Sequence, residues 1–169
     1  MEHLISKKIS VTNLILEILS VFLMSVGVIM PFYFLVGFGF IAFFLGAMGA
    51  DMNDPIFKWA GTIIIPVLLI GVGCIAVLVL GGLAFSASLK NQVRKYVKYQ
   101  IADCVCIVVV IISEIVIAVW NSVFGQDPDT RYIMVAYILC PIIQGVILAV
   151  IITLTALQVK KAKKAGSVR

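Results

Sequence analysis

Charge is scarce in this sequence. Asp, Glu, Lys and Arg make up 12% of its 169 residues, about half the share found in a soluble domain. Hydrophobic residues account for 63%. No soluble core of this size hides so much apolar surface, so the expected solvent is lipid. Histidine is rarer still, with His3 the one copy. General acid–base catalysis and zinc chemistry therefore have almost nothing to build on. No Gly-rich phosphate loop, nucleophile elbow or catalytic dyad occurs, so neither an enzyme nor a cofactor is expected. The four cysteines, Cys74, Cys104, Cys106 and Cys140, all lie in apolar segments, which argues against an extracellular disulfide framework. The Cys104-x-Cys106 spacing does not fit a C-x-x-C redox pair. No Asn-x-Ser/Thr sequon is present.

The charge that is present is grouped. Eleven of the thirteen Lys and Arg residues fall in three clusters: Lys7 and Lys8; Lys90, Arg94, Lys95 and Lys98; Lys160, Lys161, Lys163, Lys164 and Arg169. Basic residues flanking membrane spans stay in the cytosol, and an even number of spans between clusters returns the chain to that side. The expected fold is an all-α membrane protein: a four-helix transmembrane bundle of two antiparallel hairpins with both termini cytosolic. The expected location is a plasma membrane or endomembrane. The net charge of +5 then points to an anionic cytosolic leaflet as partner rather than to nucleic acid.

The apolar segments place the second, third and fourth spans over 55–89, 96–121 and 128–159, with a basic tail over 160–169. The first apolar run, Ile9 to Met48, is too long. As a helix it would measure about 60 Å, twice the hydrocarbon core. It also far exceeds the roughly 7–15 residues of a signal h-region, so it is expected to be retained as a signal-anchor. The expected division is an amphipathic helix over 4–21 at the cytosolic surface and a span over 22–49, with Pro31 as the kink site. Within 4–21, Ser6, Ser10, Asn13, Glu17 and Ser20 recur at steps of four and three. Such a narrow polar stripe suits a helix facing a bundle interior or an aqueous groove better than one lying on a bilayer.

Small residues suggest a close helix contact. Ala42, Gly46 and Ala50 form one row, and the second span carries Gly61, Gly71, Gly73, Gly81 and Gly82; small residues let backbones approach in lipid. The two external turns share a pattern, Asp54-Pro55-x-x-Lys58-Trp59 and Asp127-Pro128-x-x-Arg131-Tyr132. Asp caps a new helix, Pro at its first position loses no hydrogen bond, and the basic residue four positions on can pair with the Asp. Trp59, Trp120 and Tyr132 are expected at the outer interface, and Tyr96 and Tyr99 at the inner one.

Ionisable groups inside a membrane are functional candidates, because burying them is costly without partners. Asp103 and Glu114 share a face of the third span, Gln144 lies mid-way along the fourth, and Glu17 lies on the N-terminal stripe. Glu17, Asp103, Glu114 and Gln144 together define an expected intramembrane polar seam: a proton, cation or solute path, or interhelical hydrogen-bond glue. Lys160, Lys161, Lys163 and Lys164 are the expected contacts to lipid head groups. Cys104, near the cytosolic end of its span, is a candidate for palmitoylation.

In outline the topology resembles that of compact tetraspan trafficking and junction proteins of the MARVEL type. Tetraspanins and claudin-like proteins are set aside, because no long external loop with paired cysteines exists. Glu17 resembles the first-helix Glu of small multidrug transporters, but those chains are much shorter and the residues Asn13 to Ile18 do not reproduce their motif. The expected function is a membrane-organising scaffold or accessory subunit of a larger membrane complex, associating with other membrane proteins or with itself. The alternative is a small proton-, cation- or solute-transporting subunit that uses the carboxylate seam.

Overall fold

The structure, a computed structural model, describes the backbone at residues 5–25, 55–124 and 131–164, and side chains at 5–25, 65–119 and 138–164. These residues form four helices: α1 over Lys7–Ser25, α2 over Pro55–Leu89, α3 over Val93–Phe124 and α4 over Arg131–Lys164. Each is long and apolar enough to cross a membrane. In lipid this is the expected outcome, because a helix satisfies its backbone hydrogen bonds within itself. Pro66 and Pro141 lie inside α2 and α4. Pro55 opens α2, in the position that the Asp-Pro pattern assigns to it. The second Asp-Pro pair, Asp127-Pro128, lies outside the described residues.

All four helices bury residues at steps of three and four. In α1 these are Ser10, Asn13, Glu17, Ser20 and Met24; in α3, Val93, Tyr96, Gln100, Asp103, Ile107, Val110, Glu114 and Ile117. In α4 they are Cys140, Gln144, Ile147, Ile151, Thr155, Gln158 and Ala162, and α2 follows the same rule through Ile70, Gly73, Val77, Gly81 and Ala84. In α1 and α3 the steps alternate, the spacing of knobs-into-holes packing in left-handed bundles, whereas α2 and α4 each take two successive steps of four. The remaining surface is apolar: only 28–33% of each span's most apolar window is buried within the bundle. Side chains such as Ile75 (66% exposed) and Val72 (65%) face outward. A contiguous apolar surface of this extent needs lipid to cover it, and the chain is a multi-pass membrane protein.

The turn between α2 and α3 is set by Asn91. Its φ is 54°, the left-handed conformation that Asn tolerates after a helix end. Asn91 N–H donates to Ser88 O at 3.0 Å and Gln92 N–H to Ala87 O at 2.9 Å, which together make a Schellman closure. The Asn91 side chain also accepts from the Ile5 backbone N–H at 3.4 Å. Gln158 Nε2 donates to Ser6 O at 3.4 Å, and Ile5, Ala84, Ala87, Val93, Tyr96 and Ala162 pack as one cluster. The start of α1, the α2–α3 turn and the end of α4 therefore meet at one end of the bundle. The described members of all three basic clusters flank that end, hereafter the basic end, and consecutive described helices alternate in direction along the bundle.

One feature differs from the sequence expectation. The helix over Lys7–Ser25 runs unbroken through the division at 21/22, while its polar stripe points into the bundle, as the narrow spacing of that stripe implies. At 19 residues it measures about 28 Å, close to the hydrocarbon thickness. Two of its buried polar side chains find partners in the bundle, Asn13 on Tyr96 of α3 and Thr155 of α4, and Glu17 on Gln100 of α3. Residues 26–54, which include most of the expected span 22–49 and the row Ala42, Gly46 and Ala50, lie outside the described residues. The expected contact between that row and the α2 glycines therefore lies outside the described residues as well. A Cβ on Gly73 would collide with Val110 of α3, and one on Gly81 with the Glu17 carboxyl of α1, while Gly71 and Gly82 face open space.

Candidate functional site

The polar side chains that α1, α3 and α4 turn inward form layers across the bundle. Nearest the basic end, Asn13 Nδ2 donates to Tyr96 Oη at 3.1 Å and to Thr155 Oγ1 at 3.2 Å. One amide thus ties α1 to both α3 and α4. Tyr96, expected at the inner interface, is instead 1% exposed, because its hydroxyl finds this amide inside the bundle. A buried Tyr takes such a partner wherever one is in reach.

One helical turn further along α1, Glu17 Oε1 accepts a short hydrogen bond from Gln100 Nε2. Its other carboxylate oxygen, Oε2, lies against Gly81 of α2. Asp103, three residues beyond Gln100 on the same face of α3, stands beside the Glu17 carboxyl. Glu17 and Asp103 are both buried, and neither Asp103 oxygen meets an N–H or O–H donor. Two carboxyl groups in this arrangement can hydrogen-bond to each other only through a proton held between them. Buried acceptor oxygens of Ser10, Asn13, Ser20 and Gln100 are also without a hydrogen-bond donor, so this part of the bundle is rich in oxygen.

The other two seam residues form a separate layer. Gln144 Nε2 of α4 donates to Glu114 Oε1 of α3 at 3.0 Å, and both residues are fully buried. Eleven residues of α3 separate Asp103 from Glu114, about 16 Å along the axis. Ile107 and Val110 fill that interval with zero exposure and pack with Met24, Val77, Ile147 and Ile151. The expected seam of Glu17, Asp103, Glu114 and Gln144 is therefore brought together as two pairs with an apolar layer between them.

Gln100, Tyr96 and Gly81 are site residues that sequence reasoning missed. Gln100 carried a signal, since it shares the face of Asp103 at a step of three. Tyr96 and Gly81 carried none that separates them from an interfacial aromatic or a common membrane glycine.

The remaining candidates lie outside these layers. Lys160, Lys161, Lys163 and Lys164 are exposed at the end of α4. Cys104 is half-buried and a free thiol, six residues past Lys98 and so about 9 Å deeper along α3. Among the described residues no three His, Cys, Asp or Glu side chains gather as a metal site. The layers can bind helices to one another, hold a proton between carboxyls, or present oxygens to a small cation.

Compared with models of known protein families, with curated proteins and with solved structures, the chain matches none.

Proposed function

We propose that this chain is a non-enzymatic tetraspan membrane protein that organises membrane or serves as an accessory subunit of a larger membrane complex. In this reading the basic end faces the cytosol, because Lys and Arg collect on that side. The observation that carries the proposal is the apolar layer of Ile107, Val110 and Val77 between the two polar layers. It supports interhelical glue over a continuous conduit, since a conducting path needs polar groups or water at every level. Hydrogen bonds such as Asn13–Tyr96 and Gln144–Glu114 then hold the helices in register, typically worth under about 1–2 kcal/mol each. The apolar outer surface is available to lipid and to other membrane proteins or a second copy, and the lysines meet the anionic leaflet. The test is cross-linking in the native membrane followed by purification. A stoichiometric membrane-protein partner, or a defined self-assembly, supports the proposal; a monomer that drives flux in proteoliposomes sinks it.

A second reading rests on the Glu17–Asp103 pair. A buried carboxyl with no N–H or O–H donor is costly to keep for packing alone. A proton- or cation-transporting subunit would use it as the binding site, with Glu114 and Gln144 as a second station. In proteoliposomes under a pH gradient, Glu17→Gln and Glu114→Gln then abolish the flux. Purified wild type that carries no flux under any gradient removes this reading.

A further inference from the structure

A groove of about 900 Å³ runs down the outside of the bundle between α3 and α4. Its walls are apolar side chains of both helices, among them Ile101, Val105, Val108 and Ile152, all of which face away from the core. Along α3 it extends from Val97 to Val109, about 18 Å of helix. One leaflet of the hydrocarbon core is about 15 Å deep. The groove thus begins at the basic end and stops near mid-membrane.

Its mouth is charged. Lys160, Lys163 and Lys164 line it, whereas Lys161, equally exposed, does not. Steps of three and four place the first three on one face of α4, so one strip of the basic tail belongs to the groove and Lys161 belongs to another face. An apolar channel one leaflet deep, capped by three ammonium groups at the level of the head groups, is complementary to one molecule class. It needs a long hydrocarbon chain ending in a negatively charged head.

We propose that the α3–α4 groove is a binding site for one anionic phospholipid of the leaflet at the basic end. An acyl chain lies along Val105 and Val108, and the phosphate is held by Lys160, Lys163 and Lys164. This goes beyond a general attraction of basic residues to a charged leaflet. A diffuse field treats the four lysines alike, while the groove excludes Lys161.

The full-length protein, purified in mild detergent, is presented with equal amounts of phosphatidylglycerol and phosphatidylcholine of identical chains, and bound lipid is counted by native mass spectrometry. One phosphatidylglycerol per chain is retained in preference to phosphatidylcholine. Lys160→Ala, Lys163→Ala and Lys164→Ala each weaken retention about five-fold, while Lys161→Ala leaves it unchanged. Ala156→Phe fills the groove without changing charge and abolishes retention. Val105→Phe is the second filling variant should the first lose helicity by circular dichroism. Loss in Lys161→Ala equal to that in Lys163→Ala overturns the site, as does equal retention of the two lipids or full retention in both filled variants. A hydroxylamine-labile acyl group on Cys104, which also lines the groove, overturns it by supplying a covalent occupant.

Discussion

The carboxylate oxygen Oε2 of Glu17 occupies the space in which a Cβ on Gly81 would stand. α2 therefore approaches α1 at the point where α1 carries its acidic side chain, and the glycine makes that approach possible. The same carboxyl is held on its other side by Gln100, so it cannot swing away without giving up that hydrogen bond.

Gly81→Ala should destabilise the bundle by about 1–3 kcal/mol, the range for forcing extra volume into a packed site. The adjacent Gly82→Ala, with nothing within 4 Å of the new Cβ, should be neutral or gain up to about 1 kcal/mol from helix propensity. Unfolding in mixed micelles measures both. Combining Gly81→Ala with Glu17→Ala should cost less than the two single changes added together. Strict additivity would mean that the two residues do not share the contact.

The Glu17–Asp103 pair can be tested by isosteres. Asp103→Asn supplies an N–H donor to Glu17 and removes one buried acid, so stability in detergent should hold or rise. Asp103→Ala leaves a cavity and no partner and should lose about 1–2 kcal/mol, the scale of interhelical polar contacts in lipid. An Asp103→Asn protein less stable than the Ala variant would contradict the shared-proton geometry.

Glu114 and Gln144 form a closed pair across α3 and α4. A double-mutant cycle with Glu114→Ala and Gln144→Ala should give a coupling of about 0.6–1.7 kcal/mol. The cycle of Glu114 with Asp103, about 16 Å away along α3, should give none. Measurable coupling there would argue for one connected seam rather than two layers.

The turn at Asn91 makes a backbone prediction. Asn91→Ala must hold a left-handed φ at a cost of about 1–2 kcal/mol, whereas Asn91→Gly keeps the turn and loses only the acceptor for the Ile5 N–H. Thermal unfolding should therefore rank wild type and Gly together, above Ala.

Gathering the basic clusters at one end also predicts labelling. In sealed cells or oriented vesicles, single cysteines at Lys90 and Lys164 should react from the same side, and one at Ser122, near the far end of α3, from the other. Modification of positions 90 and 164 from opposite sides would break the bundle arrangement.

Much of this architecture is legible in the sequence because lipid leaves a chain few options. Backbone groups must be satisfied locally, so the apolar runs become helices; α2 starts at Pro55 and ends at Leu89 as the Asp-Pro pattern and the hydropathy place it. The steps of three and four in Ser10, Asn13, Glu17 and Ser20 mark an inward face before any partner is known. Pairing is a different matter. Which residues meet depends on the axial register and rotation of one helix against the next, and the periodicity of a single helix carries neither. Only the tertiary structure puts Glu17 beside Gln100 and Asp103, separates them from Glu114 by an apolar layer, turns Tyr96 inward to Asn13, and opens a groove between α3 and α4 that takes three lysines and leaves Lys161 aside.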